Sequence, residues 1–172
     1  MGESVVAPGG SASNLDSEAV VLARAGEVAR LWLNLGAQPL LVGLKGDLGT
    51  GKTTWVRGML TGLGYTGRVP SPTYTLLEHY PLDDVTLVHV DLYRLTDDGG
   101  VGGERELESL GLRDWLAQAQ TWVLVEWPER APALAASCDV TIDFDWAGHE
   151  RRSVTFSACS PTGERALQEL AL

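Results

Sequence analysis

Long apolar runs are missing from this sequence. The longest charge-free apolar stretch, Leu31 to Leu44, has 14 residues and is broken by Asn34, Gly36, Gln38 and Pro39. A membrane-crossing helix needs about 20 apolar residues, so no membrane span is expected. The opening MGESVVAPGGSASN has neither the basic start nor the apolar centre of a secretion signal. Val6 stands where a myristoylation signal needs Ser or Thr. Cysteine is scarce. Cys138 and Cys159 form no CxxC and no metal-ligand spacing, which suits two structural thiols in a reducing cytoplasm. Positive charge is scarce as well: 13 Lys+Arg against 23 Asp+Glu give a net charge of −10, and the only lysines are Lys45 and Lys52. Such a surface repels a phosphate backbone, which argues against broad direct binding of nucleic acid. An anionic ligand must then be held by a local device.

What is present is an ordinary globular composition. With 172 residues, 44% hydrophobic and 21% charged, one domain with a real core is expected. Residues 1–14 are Gly/Ser/Ala-rich and aperiodic, and read as a flexible tail before a domain over 15–172. Asp16 or Ser17 is placed to cap a helix whose apolar positions (Val20, Val21, Ala25, Val28, Leu31, Leu35) recur at helical spacing, with Gly36 to end it. Leu40 to Leu44 reads as a buried strand, and Lys52 to Leu60 as a helix closed by Gly62 and Gly64. Two prolines make 69–73 extended or loop. Thr75–Tyr80 and Val85–Val90 read as strands around a turn at 81–84. The run DDGGVGGE (97–104) reads as a loop insertion, and Glu104–Ala119 as an amphipathic helix interrupted at Gly111. Trp122–Val125 is a further buried strand, stopped by Pro128. Val140, Ile142, Phe144 and Trp146 alternate with polar residues, as in a half-exposed strand. Val154–Phe156 is its expected hairpin partner, and Pro161–Leu172 a closing helix. No repeat is present. Strands alternating with helices predict an α/β fold, a central, mostly parallel sheet flanked by helices.

The strongest signal is Gly46-Asp47-Leu48-Gly49-Thr50-Gly51-Lys52-Thr53, a full G-x-x-x-x-G-K-[ST] phosphate loop between a predicted strand and a predicted helix. Backbone N–H groups must wrap the phosphates there, so Gly49 and Gly51 keep side chains out. The unpaired N–H groups and positive dipole end of the next helix face the anion. Lys52 reaches the β- and γ-phosphates as a point charge, the Thr53 hydroxyl takes magnesium, and Thr54 follows in the first turn. The Asn/Thr-Lys-x-Asp motif that reads guanine is absent. Lys45 heads K-x-D, but Leu44 precedes it and the stretch overlaps the phosphate loop. ATP is therefore the expected nucleotide.

In this fold class ligands sit at the carboxyl ends of the strands. Two carboxylates end apolar strands there: Asp91 after Leu87-Val88-His89-Val90, and Glu126 after Trp122-Val123-Leu124-Val125. Each is a candidate to meet magnesium or orient water. His89 and Asp91 share one strand face, half of a metal site at most, and packing or hydrogen bonding is the expected role of His89. Ser71 and Thr73 put two hydroxyls on a proline-stiffened loop, either a γ-phosphate sensor or a plain braced turn. Trp127 adjoins Glu126. Arg151 and Arg152 either meet phosphate or ribose or lie on an exposed strand.

Five segments occur in order: GDLGTGKTT (46–54), SPTYTL (71–76), HVDLYRL (89–95), ELESLG (106–111) and VEWPE (125–129). Together they resemble the TsaE family, formerly YjeE, over residues 15 to 170. The resemblance implies a small P-loop ATPase that binds ATP with magnesium, hydrolyses it slowly alone, and acts with a TsaB–TsaD assembly. That assembly makes threonylcarbamoyladenosine in tRNA, and hydrolysis would support its repeated turnover. It implies Thr53 and Glu126 as magnesium ligands, Asp91 as the catalytic or water-orienting acid beside Lys52, and Ser71 and Thr73 in a nucleotide-sensing loop. Trp127 would border the site. The adenine contact would fall at Ser17 or Glu18, and a late arginine at Arg151 or Arg152, unless displaced by His149. The 97–104 insertion and the tail before residue 15 have no counterpart in the family. With a charge of −10, contact with tRNA is expected through the protein partner. A small-molecule kinase and a non-hydrolysing nucleotide switch are the rival readings. The kinase would need an arginine-bearing lid, yet the insertion is acidic. The switch would need no water-orienting acid.

Overall fold

A computed structural model describes residues 13–36, 39–95, 107–147, 151–168 and 170. Residues 1–12, the 97–104 insertion and His149 lie outside the described residues. The elements in chain order are β1 (Ser13–Leu15), α1 (Glu18–Asn34), β2 (Leu40–Lys45), α2 (Lys52–Gly62), β3 (Leu77–Pro81), β4 (Thr86–Asp91), α3 (Leu112–Leu116), β5 (Thr121–Glu126), a 3-10 turn (Pro128–Arg130), α4 (Pro132–Ala135), β6 (Val140–Trp146), β7 (Arg152–Ala158) and α5 (Pro161–Gln168). The seven strands form one sheet in the order β1-β7-β6-β2-β5-β4-β3. The centre, β6-β2-β5-β4, is parallel. The outer strands β3, β7 and β1 pair antiparallel.

The central strands β2, β4 and β5 are largely apolar because both faces are covered. Alternate residues feed two cores. Leu40, Val42, Leu44, Leu87, Trp122 and Leu124 pack with Val21, Ala25, Trp32, Trp55 and Met59 of α1 and α2. Leu41, Val88, Val90, Val123 and Val125 pack with Leu112, Ala131 and Cys138 on the other side. The result is a sheet between two helical layers, as the alternation of strands and helices predicts. From β2 the chain runs through α2 to β3 and β4 on one side of β2, and from β5 it returns to β6 on the other. This reversal opens a crevice at the carboxyl end of β2, where such folds hold ligands.

Several boundaries differ from expectation. Ser13 and Asn14, assigned to the tail, belong to β1, which pairs with β7 through Ser13–Val154 and Leu15–Arg152. Edge pairing uses backbone groups alone, so composition does not announce it. The expected helix over 104–119 is, among the described residues, helical at 107–109 and then α3. Gly111 takes a left-handed φ of 64° and starts α3 as its N-cap, which breaks the run. Val20 is exposed rather than core-facing. Of the tryptophans, Trp32, Trp55 and Trp122 are buried, whereas Trp146 is 48% exposed. Both cysteines are free, Cys138 buried and Cys159 exposed.

Helices α1 and α2 touch closely because glycines line the contact. A Cβ added at Gly58 would lie 2.6 Å from Leu22 O and 2.8 Å from Ala25 Cβ, and one at Gly62 would lie 2.4 Å from Gly26 Cα. Alanine for a helical glycine ordinarily gains about 0.5–1 kcal/mol. Here overpacking, about 1–3 kcal/mol, outweighs it. Gly58→Ala should lower the melting temperature, and a rise would contradict the close approach. Burial pushes the Cys138 thiol up to about 11. With the folded pKa raised above 9.0, the stability it contributes is full below that pH and is lost as pH rises toward 11. A disulfide-exchange reagent at neutral pH should therefore titrate one thiol in the native protein and two after denaturation. Cys159→Ser should remove the native reaction.

Candidate functional site

The loop between β2 and α2 is shaped by its glycines. Gly46 has φ of 134°, and a Cβ on it would lie 2.4 Å from Phe144 O, so no side chain fits. Gly51 caps α2 with φ of 110° and offers no side-chain cap. The helical ladder starts with Trp55 N donating to Gly51 O at 2.8 Å. The N–H groups of Lys52, Thr53 and Thr54 therefore project from the helix start, where an anion is favoured. Thr50 is buried and its hydroxyl donates to Asp47 O at 2.8 Å, which ties the loop to itself. Leu48 at the tip is 71% exposed.

Lys52 is buried. Its ammonium donates to Gly46 O and to Asp47 O and lies 4.0 Å from the centroid of the Trp127 ring. Burial lowers its pKa below that of a free lysine, while Glu126, Glu129, Asp91 and Asp47 pull it back up. The desolvated ammonium is held by these acceptors at the start of α2.

The register of β4 and β5 sets the carboxylates. Asp91 is paired with Glu126, and Glu126 with Leu44 of β2, so both acids end their strands beside the loop. Each is 3% exposed. Glu126 Oε1 accepts from the Thr53 hydroxyl at 2.8 Å and lies 2.8 Å from His89 Nε2. Asp91 Oδ2 accepts from the hydroxyls of Ser71 at 2.9 Å and Thr73 at 3.0 Å. Its Oδ1 accepts from Tyr93 N at 3.0 Å. Ser71 and Thr73 thus belong to the site and are not a plain braced turn. Leu76 and Trp127 hold φ of 62° and 59°. Such left-handed non-glycine residues are strained by about 1–3 kcal/mol and cluster at functional sites. Leu76 O accepts from Asp91 N, and Trp127 N donates to Leu44 O, so each strained residue anchors a strand end of the site.

Leu48, Gly49, Gly51, Lys52, Thr53 and Thr54 form one wall of an open cleft of about 260 Å³, just under the usual range for small-molecule sites. Ser71, Thr73, Asp91, Glu126, Trp127 and Arg152 line the rest, with Tyr93. Of the two candidate arginines, Arg152 faces the cleft. Its Cδ lies 3.5 Å from where a Gly51 Cβ would be, and its guanidinium sits 5.0 Å from the Trp146 ring. Arg151 instead pairs with Asp16 at 3.4 Å on the exposed surface. Ser17 caps α1, accepting from Val20 N at 3.3 Å, and is not among the residues lining the cleft. Glu18 pairs with Arg57 at 3.3 Å. Tyr93 was missed by sequence reasoning. The only signal for it was its place in HVDLYRL, and its ring packs 5.3 Å from that of Trp127. Among the described residues no cluster of three or more His, Cys, Asp or Glu could hold a metal ion. No helix among the described residues is long and apolar enough to cross a membrane.

The family profile described as "Threonylcarbamoyl adenosine biosynthesis protein TsaE" matches residues 16–154. The tRNA threonylcarbamoyladenosine biosynthesis protein TsaE of Haemophilus influenzae is 42% identical over 107 residues, 62% of this chain and 63% of that protein. This chain therefore spans less than two-thirds of that relative's length. The protein of the same name from Bacillus subtilis is 36% identical over 128 residues, 74% of this chain and 75% of its own. The crystal structure of B. subtilis YdiB is similar with a TM-score of 0.66 and 26% identity over 93% of both chains.

The acceptor role of Asp91 predicts a local effect. A hydrogen bond to a charged group contributes about 1.5–3 kcal/mol, and about 1.4 kcal/mol is tenfold in an equilibrium. Asp91→Ala should therefore speed amide exchange in 71–76 by about 10–100-fold and leave α2 unchanged. Unchanged exchange in 71–76 would show that the loop is held by something else.

Proposed function

The chain belongs to the TsaE family of threonylcarbamoyl adenosine biosynthesis proteins, and from that membership we propose that it is a magnesium-dependent ATPase serving tRNA threonylcarbamoyladenosine synthesis. One observation carries the proposal: the phosphate loop, the Thr53–Glu126 pair and the Asp91 cluster line a single cleft. The lack of a guanine-reading motif favours ATP. Thr53 Oγ1 and Glu126 Oε1 are hard oxygen donors, the kind magnesium takes, and they converge within 2.8 Å. Thr53 and Glu126 would hold a magnesium ion, which would offset the charge that develops on the phosphate.

The residues divide the remaining work. The loop N–H groups cradle the phosphates. Lys52 exchanges the carbonyls of Gly46 and Asp47 for the β- and γ-phosphates, and Arg152 adds a second cation at the loop. Asp91 orients the water that attacks the γ-phosphorus, giving ADP and phosphate. Asp91 accepts three hydrogen bonds, two of them from Ser71 and Thr73. An acid so occupied is poorly available to water, which fits slow hydrolysis alone. A partner that moves the 71–76 loop would release it. A TsaB–TsaD-type assembly is the proposed partner, with tRNA met through it, in the cytoplasm. The charge of −10 disfavours a direct grip on RNA.

ATP hydrolysis should be slow for the protein alone and rise with the TsaB–TsaD assembly and tRNA. Lys52→Ala should abolish tight ATP binding, because a charge-assisted contact is lost. Hydrolysis indifferent to the assembly would return the role to open, and unchanged ATP affinity in Lys52→Ala would remove the site itself.

A further inference from the structure

His89 is fully buried, with 0% exposure, and the scheme above gives it no task. It lies on β4 opposite Leu124 of β5, two residue pairs below the Asp91–Glu126 pair. Glu126 is therefore its diagonal neighbour on the same sheet face, within reach of a long side chain. The imidazole Nε2 lies 2.8 Å from Glu126 Oε1, the oxygen that also takes the Thr53 hydroxyl. An ionised carboxylate only accepts, so Nε2 carries the hydrogen and donates. Nδ1 is then a bare lone pair, and it has no hydrogen-bond partner. A buried polar atom without a partner is costly, so packing alone does not account for a histidine here. Leucine would fill the space without that cost.

We infer that His89 is a positioning residue for the metal-ligating carboxylate: its Nε2–H pins the Glu126 side chain against the start of α2 so that Thr53 and Glu126 meet a divalent cation as a preset pair. The inference rests on the reading of Glu126 as a magnesium ligand. A lysine or arginine at 89 would compete with the cation. Outer partners of this kind typically change metal affinity by about 10–100-fold when removed.

The test compares the affinity for a non-hydrolysable ATP analogue with saturating magnesium and with a chelator, by calorimetry on the full chain. The ratio of the two affinities is the readout. Glu126→Ala should collapse it. His89→Leu should lower it by about 10–100-fold while the metal-free affinity stays the same. His89→Gln, whose amide N–H reaches the place of Nε2, should restore it to within a few-fold. His89→Asn, too short to reach Glu126, should behave like His89→Leu and serves in its place if the leucine variant does not fold. An unchanged ratio in Glu126→Ala would overturn the magnesium reading and the inference with it. A collapsed ratio in Glu126→Ala with an unchanged ratio in both His89→Leu and His89→Asn would overturn the inference alone. Equal losses with and without metal, or no rescue by glutamine, would reduce His89 to a structural residue and overturn it as well.

Discussion

The parallel register of β2, β4 and β5 is the constraint on which the site depends. It sets Leu44, Asp91 and Glu126 at one level, the last two side by side and the first where the chain turns into the phosphate loop. A slip of one residue in either pairing would turn an acid to the opposite face, away from α2. The two apolar cores oppose such a slip, since it would bring the wrong half of each strand against each helical layer. Packing and the geometry of the cleft are thus one requirement met by the same hydrogen bonds.

Within that frame the electrostatics are local. The chain carries a net charge of −10, yet the cleft holds Lys52 and Arg152 against Asp91 and Glu126. Burial weakens the hold of Lys52 on its proton, and the surrounding acids strengthen it. The Lys52 side chain is poorly solvated and rests on carbonyl oxygens and the Trp127 ring. Strain at Leu76 and Trp127 shows where the backbone is held against its preference. Both lie at the joints between strand ends and site loops, where a small rearrangement would alter the surroundings of Asp91 or Glu126.

Much of this was legible from residues alone. The phosphate loop could be read because its chemistry is backbone chemistry, which leaves glycines at fixed spacing. Asp91 and Glu126 could be read because a carboxylate after a wholly apolar run is conspicuous. The mostly parallel sheet followed from strands alternating with helices. The break at Gly111 was placed correctly, but not its consequence: a left-handed glycine starts a new short helix instead of interrupting a long one. Strand β1 escaped notice because an edge strand needs only backbone partners. Ser17 caps α1 away from the cleft, while Arg152 and not Arg151 faces it. Adjacent residues of a strand point to opposite faces, and which of the two points inward depends on a pairing partner distant in sequence.

The local pattern was therefore written in the chain: a glycine-shaped loop, a lysine and threonine at its end, two acids on apolar strands, and a net charge of −10. Folding alone could assign the long-range partners. The joining of Thr53 and His89 on one oxygen of Glu126, and of Ser71 and Thr73 on Asp91, crosses gaps of 18 to 73 residues. Motif spacing describes only neighbours along the chain. Contacts over such separations arise from strand register and helix packing, which depend on the whole core at once.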